Sequence, residues 1–157
     1  MSRDERFTED EWAEMTALPR HVADALFAVS SHHPAAIHPE AHAAGMAITH
    51  PHEHGAAADL IAALLASSAD EEALEVAIEH DVVEDPAVLQ TEALTRIREA
   101  APLLARLSSD EREGLAHWLL GVARAEAEGA PEQRADRPVS DRERDEVAEI
   151  AEILNGA

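Results

Sequence analysis

The chain has 157 residues, a length that suits one domain able to bury a core without staples, and its lack of cysteine excludes a disulfide framework, a zinc ribbon, an iron–sulfur centre and a thiol nucleophile. Its formal net charge is −21 and all 12 basic residues are arginine. A field of that sign repels phosphate backbones and anionic lipid, which argues against nucleic acid and membrane surfaces as partners.

Apolar residues recur at helical spacing along most of the chain, and the aromatic residues that favour strands are scarce, with no Tyr, 2 Phe and 2 Trp. The pattern predicts an all-α, single-domain helical bundle of seven to eight helices spanning residues 1–157, with residues 1–7 disordered. Thr8 and Glu11 have the spacing of a capping box and open a short helix through Trp12 and Met15, which is expected to stop near Leu18-Pro19. A second helix follows Pro19, with Val22, Ala25, Leu26 and Val29 on one face. Pro39 restarts a helix through His42, Met46 and Ile48, and Thr49–Gly55 reads as a loop.

The next helix is expected from about Ala56 to Ser67, burying Leu60, Ile61, Leu64 and Leu65, and Ser68 with Glu71 then caps a helix carrying Leu74, Ala77 and Ile78. Asp85-Pro86 marks a boundary, after which Leu89, Leu94 and Ile97 continue helically until Pro102 kinks or ends the segment. Ser108 with Glu111 caps a long helix whose buried stripe is Leu115, Trp118, Leu119 and Val122. Residues 129–139 read as an exposed loop, and Ser140 with Glu143 caps a last helix with Val147, Ile150, Ala151 and Leu154 turned inward and Gly156 past its end. The stretch Ala25–Val29 followed by Ile37–Glu40 is echoed by Leu119–Ala123 followed by Val139–Glu143, which suggests a duplicated helix–loop–helix.

The C-terminal unit, Trp118-Leu119-Leu120-Gly121-Val122-Ala123-Arg124-Ala125, a loop, then Val139-Ser140-Asp141-Arg142-Glu143 and a helix ending Ile150-Ala151-Glu152-Ile153-Leu154, resembles the closing half of TerB-like, tellurite-resistance-type proteins. Ala23–Val29 and Ile37–Glu40 are similar to the opening half, so the likeness covers about two thirds of the chain. It implies an acidic, all-helical, stress-associated protein whose inter-helix carboxylates bind divalent cations. Carried onto this sequence, the first loop offers His32, His33 and Glu40, and the second offers Glu126, Glu128, Asp141 and Glu143. The Asp-Gly step of that family is absent from both loops.

Ten histidines are many for this length, and seven lie between His32 and His54. In the run His50-Pro51-His52-Glu53-His54, alternate residues of an extended loop point to one side, so His50, His52 and His54 can converge on one ion. Imidazoles suit ions such as Zn, Ni or Cu, with Glu40 or Glu53 as an accompanying carboxylate, and the expected cofactor is a divalent metal ion, Zn, Ni or Mn. His38 and His42 share a helix face. The plainer alternative is a polar loop whose imidazoles soften the acidic charge. His21 and His117 read as helix-face residues.

His80-Asp81-Val82-Val83-Glu84-Asp85 resembles the signature of HD-type hydrolases of the RelA/SpoT alarmone class. The resemblance implies that His80 and Asp81 bind manganese while Glu84 and Asp85 support attack of a metal-activated water on a pyrophosphate ester, with His50 and Asp136 as further ligands. The surrounding sequence departs from that class. Pro86 stands where it carries Thr, His50 lies far upstream of His80, Asp136 falls in a proline-flanked loop, and the electronegative surface is poor ground for a polyphosphorylated nucleotide. The preferred reading of this run is therefore an acidic helix end before a proline.

No glycine-rich phosphate loop, G-x-S-x-G elbow or His-Glu-x-x-His helix is present. With no secretory signal and no window near the roughly 20 apolar residues of a membrane span, the expectation is a cytoplasmic protein with no membrane insertion, non-enzymatic, with a protein partner or a second copy as its associate. The acid excess, the alanine richness and the missing lysine fit a high-salt or high-GC background.

Overall fold

The computed structural model describes residues 4–29, 55–68, 85–128 and 139–156. Helix α1 (Glu9–Val29) starts at the expected capping box: Glu11 N donates to Thr8 Oγ1 at 3.3 Å, and Thr8 N donates to Glu11 Oε2 at 2.8 Å. It does not stop at Leu18-Pro19. Pro19 sits inside a single helix of 21 residues, so the two short helices expected there are one. Proline removes one rung of the backbone ladder, but Trp12, Met15, Leu18, Val22, Leu26 and Val29 form one buried stripe across it. Breaking the helix would lift half of that stripe off the core, and tertiary burial outweighs the local preference.

A 3₁₀ turn (Gly55–Ala57), whose Gly55 takes a positive φ of 52°, leads into α2 (Ala58–Ser68). Leu60, Ile61 and Leu64 of α2 are buried, and Leu65 is half-buried. Helix α3 (Pro86–Leu104) has Asp85 as its N-cap and Pro86 at its first position, as the Asp-Pro step predicts. Pro102 falls in its last turn and the helix ends two residues later. Ala93, Leu94, Ile97, Ala100 and Leu104 are buried, while Leu89 is only half-buried.

Helix α4 (Ser109–Glu128) follows a second capping box, with Glu111 N donating to Ser108 Oγ at 3.3 Å and Ser108 N donating to Glu111 Oε2 at 2.9 Å. Its expected stripe of Leu115, Trp118, Leu119 and Val122 is buried. Helix α5 (Asp141–Asn155) opens on the Ser140–Glu143 capping box and buries Ile150 and Leu154, with Val147 and Ala151 partly covered.

Helix α1 is the hub, packed along α3 and also against α4, α5 and α2; α4 rests on the 3₁₀ turn and on α5, and α5 rests on α3. One apolar cluster runs through all five helices. Among the described residues there is no strand, and no helix is long and apolar enough to cross a membrane. The helices expected from Pro39 to Ile48 and after Ser68, and the loop over residues 129–138, lie outside the described residues.

Of residues 1–7, expected to be disordered, residues 4–7 are described, and Phe7 among them is packed on the bundle. Phe7 is 2% exposed, its ring centroid 6.1 Å from that of Trp12. Burying a phenylalanine contributes roughly 1.5–3 kcal/mol toward the cost of ordering this segment, and the ion pair from Arg6 to Glu111 adds to it.

Candidate functional site

The histidine-loop donors His32, His33, Glu40, His50, His52 and His54 lie outside the described residues, as do His80, Asp81, Glu84 and Asp136. Asp85 is described, and its carboxylate is engaged at the start of α3, where Oδ1 accepts from Ala87 N at 3.0 Å. That is the helix-boundary role. In the second loop, Glu143 is buried and serves the capping box, accepting from Ser140 N at 2.7 Å. Asp141 pairs with Arg144. Glu126 is buried in α4 and Glu128 is exposed at its end. Among the described residues no group of three or more metal-ligating side chains is placed to hold an ion. His21 is half-buried on α1, and desolvation pushes its imidazole below the usual range; His117 is exposed on α4.

What the described residues do bring together is a polar centre at the start of two helices. Arg6 lies two residues before the N-cap of α1, and its guanidinium grips the carboxylate of Glu111 on α4 with two bonds of 2.8 Å. It also donates to Asp4 at 2.7 Å. Arg106 lies two residues before the N-cap of α4 and reaches Glu11 on α1 at 2.8 Å. Each capping glutamate is thus bonded by its own helix start and by the arginine of the other. Both cations lie near the Phe7 ring, with Arg6 Cζ 6.0 Å and Arg106 Cζ 5.6 Å from its centroid.

These contacts set the carboxylates firmly in their charged form. Bonding from Arg6 holds Glu111 down at about 2, with the Ser108 amide and hydroxyl adding to it. The Arg6 side chain likewise lowers Asp4, and the Thr8 backbone, followed by Arg106, lowers Glu11. Beside this centre lies a shallow, open cleft of about 290 Å³ lined by Asp4, Arg6, Asp59, Leu60, Ala63 and Glu111. Two of its acids, Asp4 and Glu111, pair with the Arg6 guanidinium, while Asp59 stands exposed on α2.

Both capping boxes are visible in the sequence, whereas the arginines that cross between them escape a local reading. The available signal is a repeated hexapeptide: Arg6-Phe7-Thr8-Glu9-Asp10-Glu11 and Arg106-Leu107-Ser108-Ser109-Asp110-Glu111, one hundred residues apart. Phe7 and Leu107 are both buried, as are Met15 and Leu115, Leu18 and Trp118, and Val22 and Val122 in the same register.

A second polar contact joins α3 to α5. Gln90 Nε2 donates to Glu146 Oε2 at 2.6 Å, and burial raises the Glu146 carboxyl above the usual range. Elsewhere in the core, Trp12 Nε1 donates to Ser67 Oγ at 2.9 Å, while Thr16 Oγ1 and Trp118 Nε1 are buried without a hydrogen-bond partner among the described residues. Comparison with known proteins returns no match by family model, by curated sequence or by solved structure.

Proposed function

We infer that this chain is a non-enzymatic, TerB-like helical protein that binds a divalent cation, Zn, Ni or Mn, through His50, His52 and His54, with His32, His33 and Glu40 as further donors. The observation that carries the architectural half of this reading is the exchange of Arg6 and Arg106 between the starts of α1 and α4. It supports a bundle with two similar helix starts one hundred residues apart, which fits a single all-helical domain of the TerB-like kind. The cation half rests on the alternating imidazoles, whose chemistry suits a borderline metal.

The engagement of Asp141 with Arg144 and of Glu143 with Ser140 shifts the proposed ligands away from the second loop and onto the histidines. The function that follows is a cation-responsive module in a stress or envelope-associated assembly, acting in the cytoplasm on a protein partner or a second copy.

A thermal-shift series across Zn, Ni, Mn and Ca tests this, because an ion that binds the folded state raises the melting temperature by mass action. The expected result is a rise with one ion that is lost when His50, His52 and His54 are replaced together by Ala. A flat response to every ion would overturn the cation reading and leave an acidic interaction protein. Release of pyrophosphate from an alarmone in the presence of Mn would overturn it in favour of the hydrolase and the residues His80, Asp81, Glu84 and Asp85.

A further inference from the structure

Three glutamates are buried among the described residues: Glu126, Glu143 and Glu146. Glu143 is accounted for by its capping box. Glu146 is different. It faces inward from α5 at 4% exposure, one oxygen takes the Gln90 amide at 2.6 Å, and Oε1 is buried with no hydrogen-bond partner among the described residues.

An ionised carboxylate can accept about four hydrogen bonds, and a buried one needs several, or a cation, to offset its lost hydration. Here a single neutral donor is supplied. With a proton on Oε1 the group becomes a neutral acid whose other oxygen still accepts from Gln90. The cost then falls to one unsatisfied hydroxyl, well below that of an undercompensated charge.

The strongest charged influences come from two sides. On its own helix, Glu149 opposes ionisation and Arg142 favours it; from α3, Arg98 favours it, though Arg98 is itself paired with Glu149 at the surface. None of these comes from α1 or α4, the other helices packed on α5.

We propose that Glu146 is a proton-operated clasp between α3 and α5: with its proton it lets the last helix seat on α3, and on ionising it loosens that helix from the bundle. Burial, as the leading influence, raises the folded-state value above that of the unfolded chain. The stabilisation is therefore complete below the ordinary glutamate range and is lost as pH rises through the folded value. The polar centre at Arg6 and Glu111 behaves in the opposite sense, since its carboxylates are lowered where that of Glu146 is raised.

Hydrogen-exchange protection of the α5 amides, read as protection factors between pH 4 and 8, tests the clasp alongside a carbon-13 titration of the Glu146 carboxyl. In the wild-type chain, α5 protection is expected to fall by up to about tenfold per pH unit between the ordinary glutamate value and that of Glu146, while α1 holds. In Glu146→Gln, which keeps the shape without the charge, α5 protection should stay level. Equal pH dependence in the two proteins would overturn the proposal. So would a Glu146 carboxyl that titrates with the exposed glutamates, a measurement on the wild-type chain that stands even if the variant fails to fold.

Discussion

Arg6 and Glu111, 105 positions apart in the chain, form a two-pronged ion pair with both bonds at 2.8 Å, and Arg106 repeats the contact toward Glu11. Partly exposed ion pairs contribute about 0.2–1 kcal/mol, toward the upper end where the geometry is bidentate. A double-mutant cycle on Arg6→Ala and Glu111→Ala, followed by urea unfolding, should give a coupling of about 1 kcal/mol at low salt. The single contact from Arg106 to Glu11 should give less. A coupling within error of zero would make the exchange incidental.

The acid limb of stability follows from the same residues. Glu111 is held at about 2, and Asp4 and Glu11 are lowered as well, so each is more acidic folded than unfolded. Groups of this kind contribute stability that is present above the ordinary carboxylate range and is lost as pH falls through the folded value. Unfolding midpoints should therefore drop between about pH 4.5 and 2. Arg6→Ala, which removes the chief cause for Asp4 and Glu111, should flatten that limb; an unchanged acid profile would refute the assignment.

The caps themselves are separable from the ion pairs. Thr8→Ala and Ser108→Ala each remove a side-chain oxygen that accepts from the third residue of its helix. Each should cost about 1 kcal/mol in thermal or chemical unfolding, and the arginine contacts should persist.

Pro19 offers a test in the stabilising direction. Inside α1 it deprives the Met15 carbonyl of its helical donor, a cost of up to about 3 kcal/mol in a helix interior. Pro19→Ala restores the amide at the expense of some buried ring surface, and a net gain of about 1 kcal/mol is expected in melting experiments. A loss would mean that the ring's packing outweighs the missing hydrogen bond.

The link between Trp12 and Ser67 can be cut alone. Ser67→Ala leaves the largely buried indole N–H without its acceptor at 2.9 Å, and a cost of about 1–2 kcal/mol is expected by denaturant titration. Ser67→Thr, which keeps the hydroxyl, should recover most of it.

The helix starts were legible in the sequence because a cap is a local device: Thr8 and Glu11, Ser108 and Glu111, and Ser140 and Glu143 each lie three apart and bond within one turn. The buried stripes were legible for the same reason, since a 3.6-residue period needs no knowledge of the partner. At Pro19 local preference argues for a stop, while packing on α3, α4 and α5, which no local window contains, keeps the helix continuous. The exchanged arginines were hidden more deeply. An arginine before a helix is an ordinary surface residue until the fold brings another helix start beside it.

The likeness between Ala25–Val29 and Leu119–Ala123 lies six positions out of the register that the two caps define. Alanine-rich stretches align in many registers, whereas a polar motif aligns in one. Of the candidate site, the described residues bear only on the acids flanking it: Asp85, Asp141 and Glu143 each have a local structural partner.

The crossed caps also constrain the order of assembly during synthesis. When α1 leaves the ribosome, the arginine that completes its start has yet to be translated, and the one it carries has only the neighbouring Asp4 to grip. The first helix therefore emerges with its opening turn incompletely anchored, and only the arrival of the second unit lets both close together. Final docking is thereby postponed until most of the polypeptide has been made.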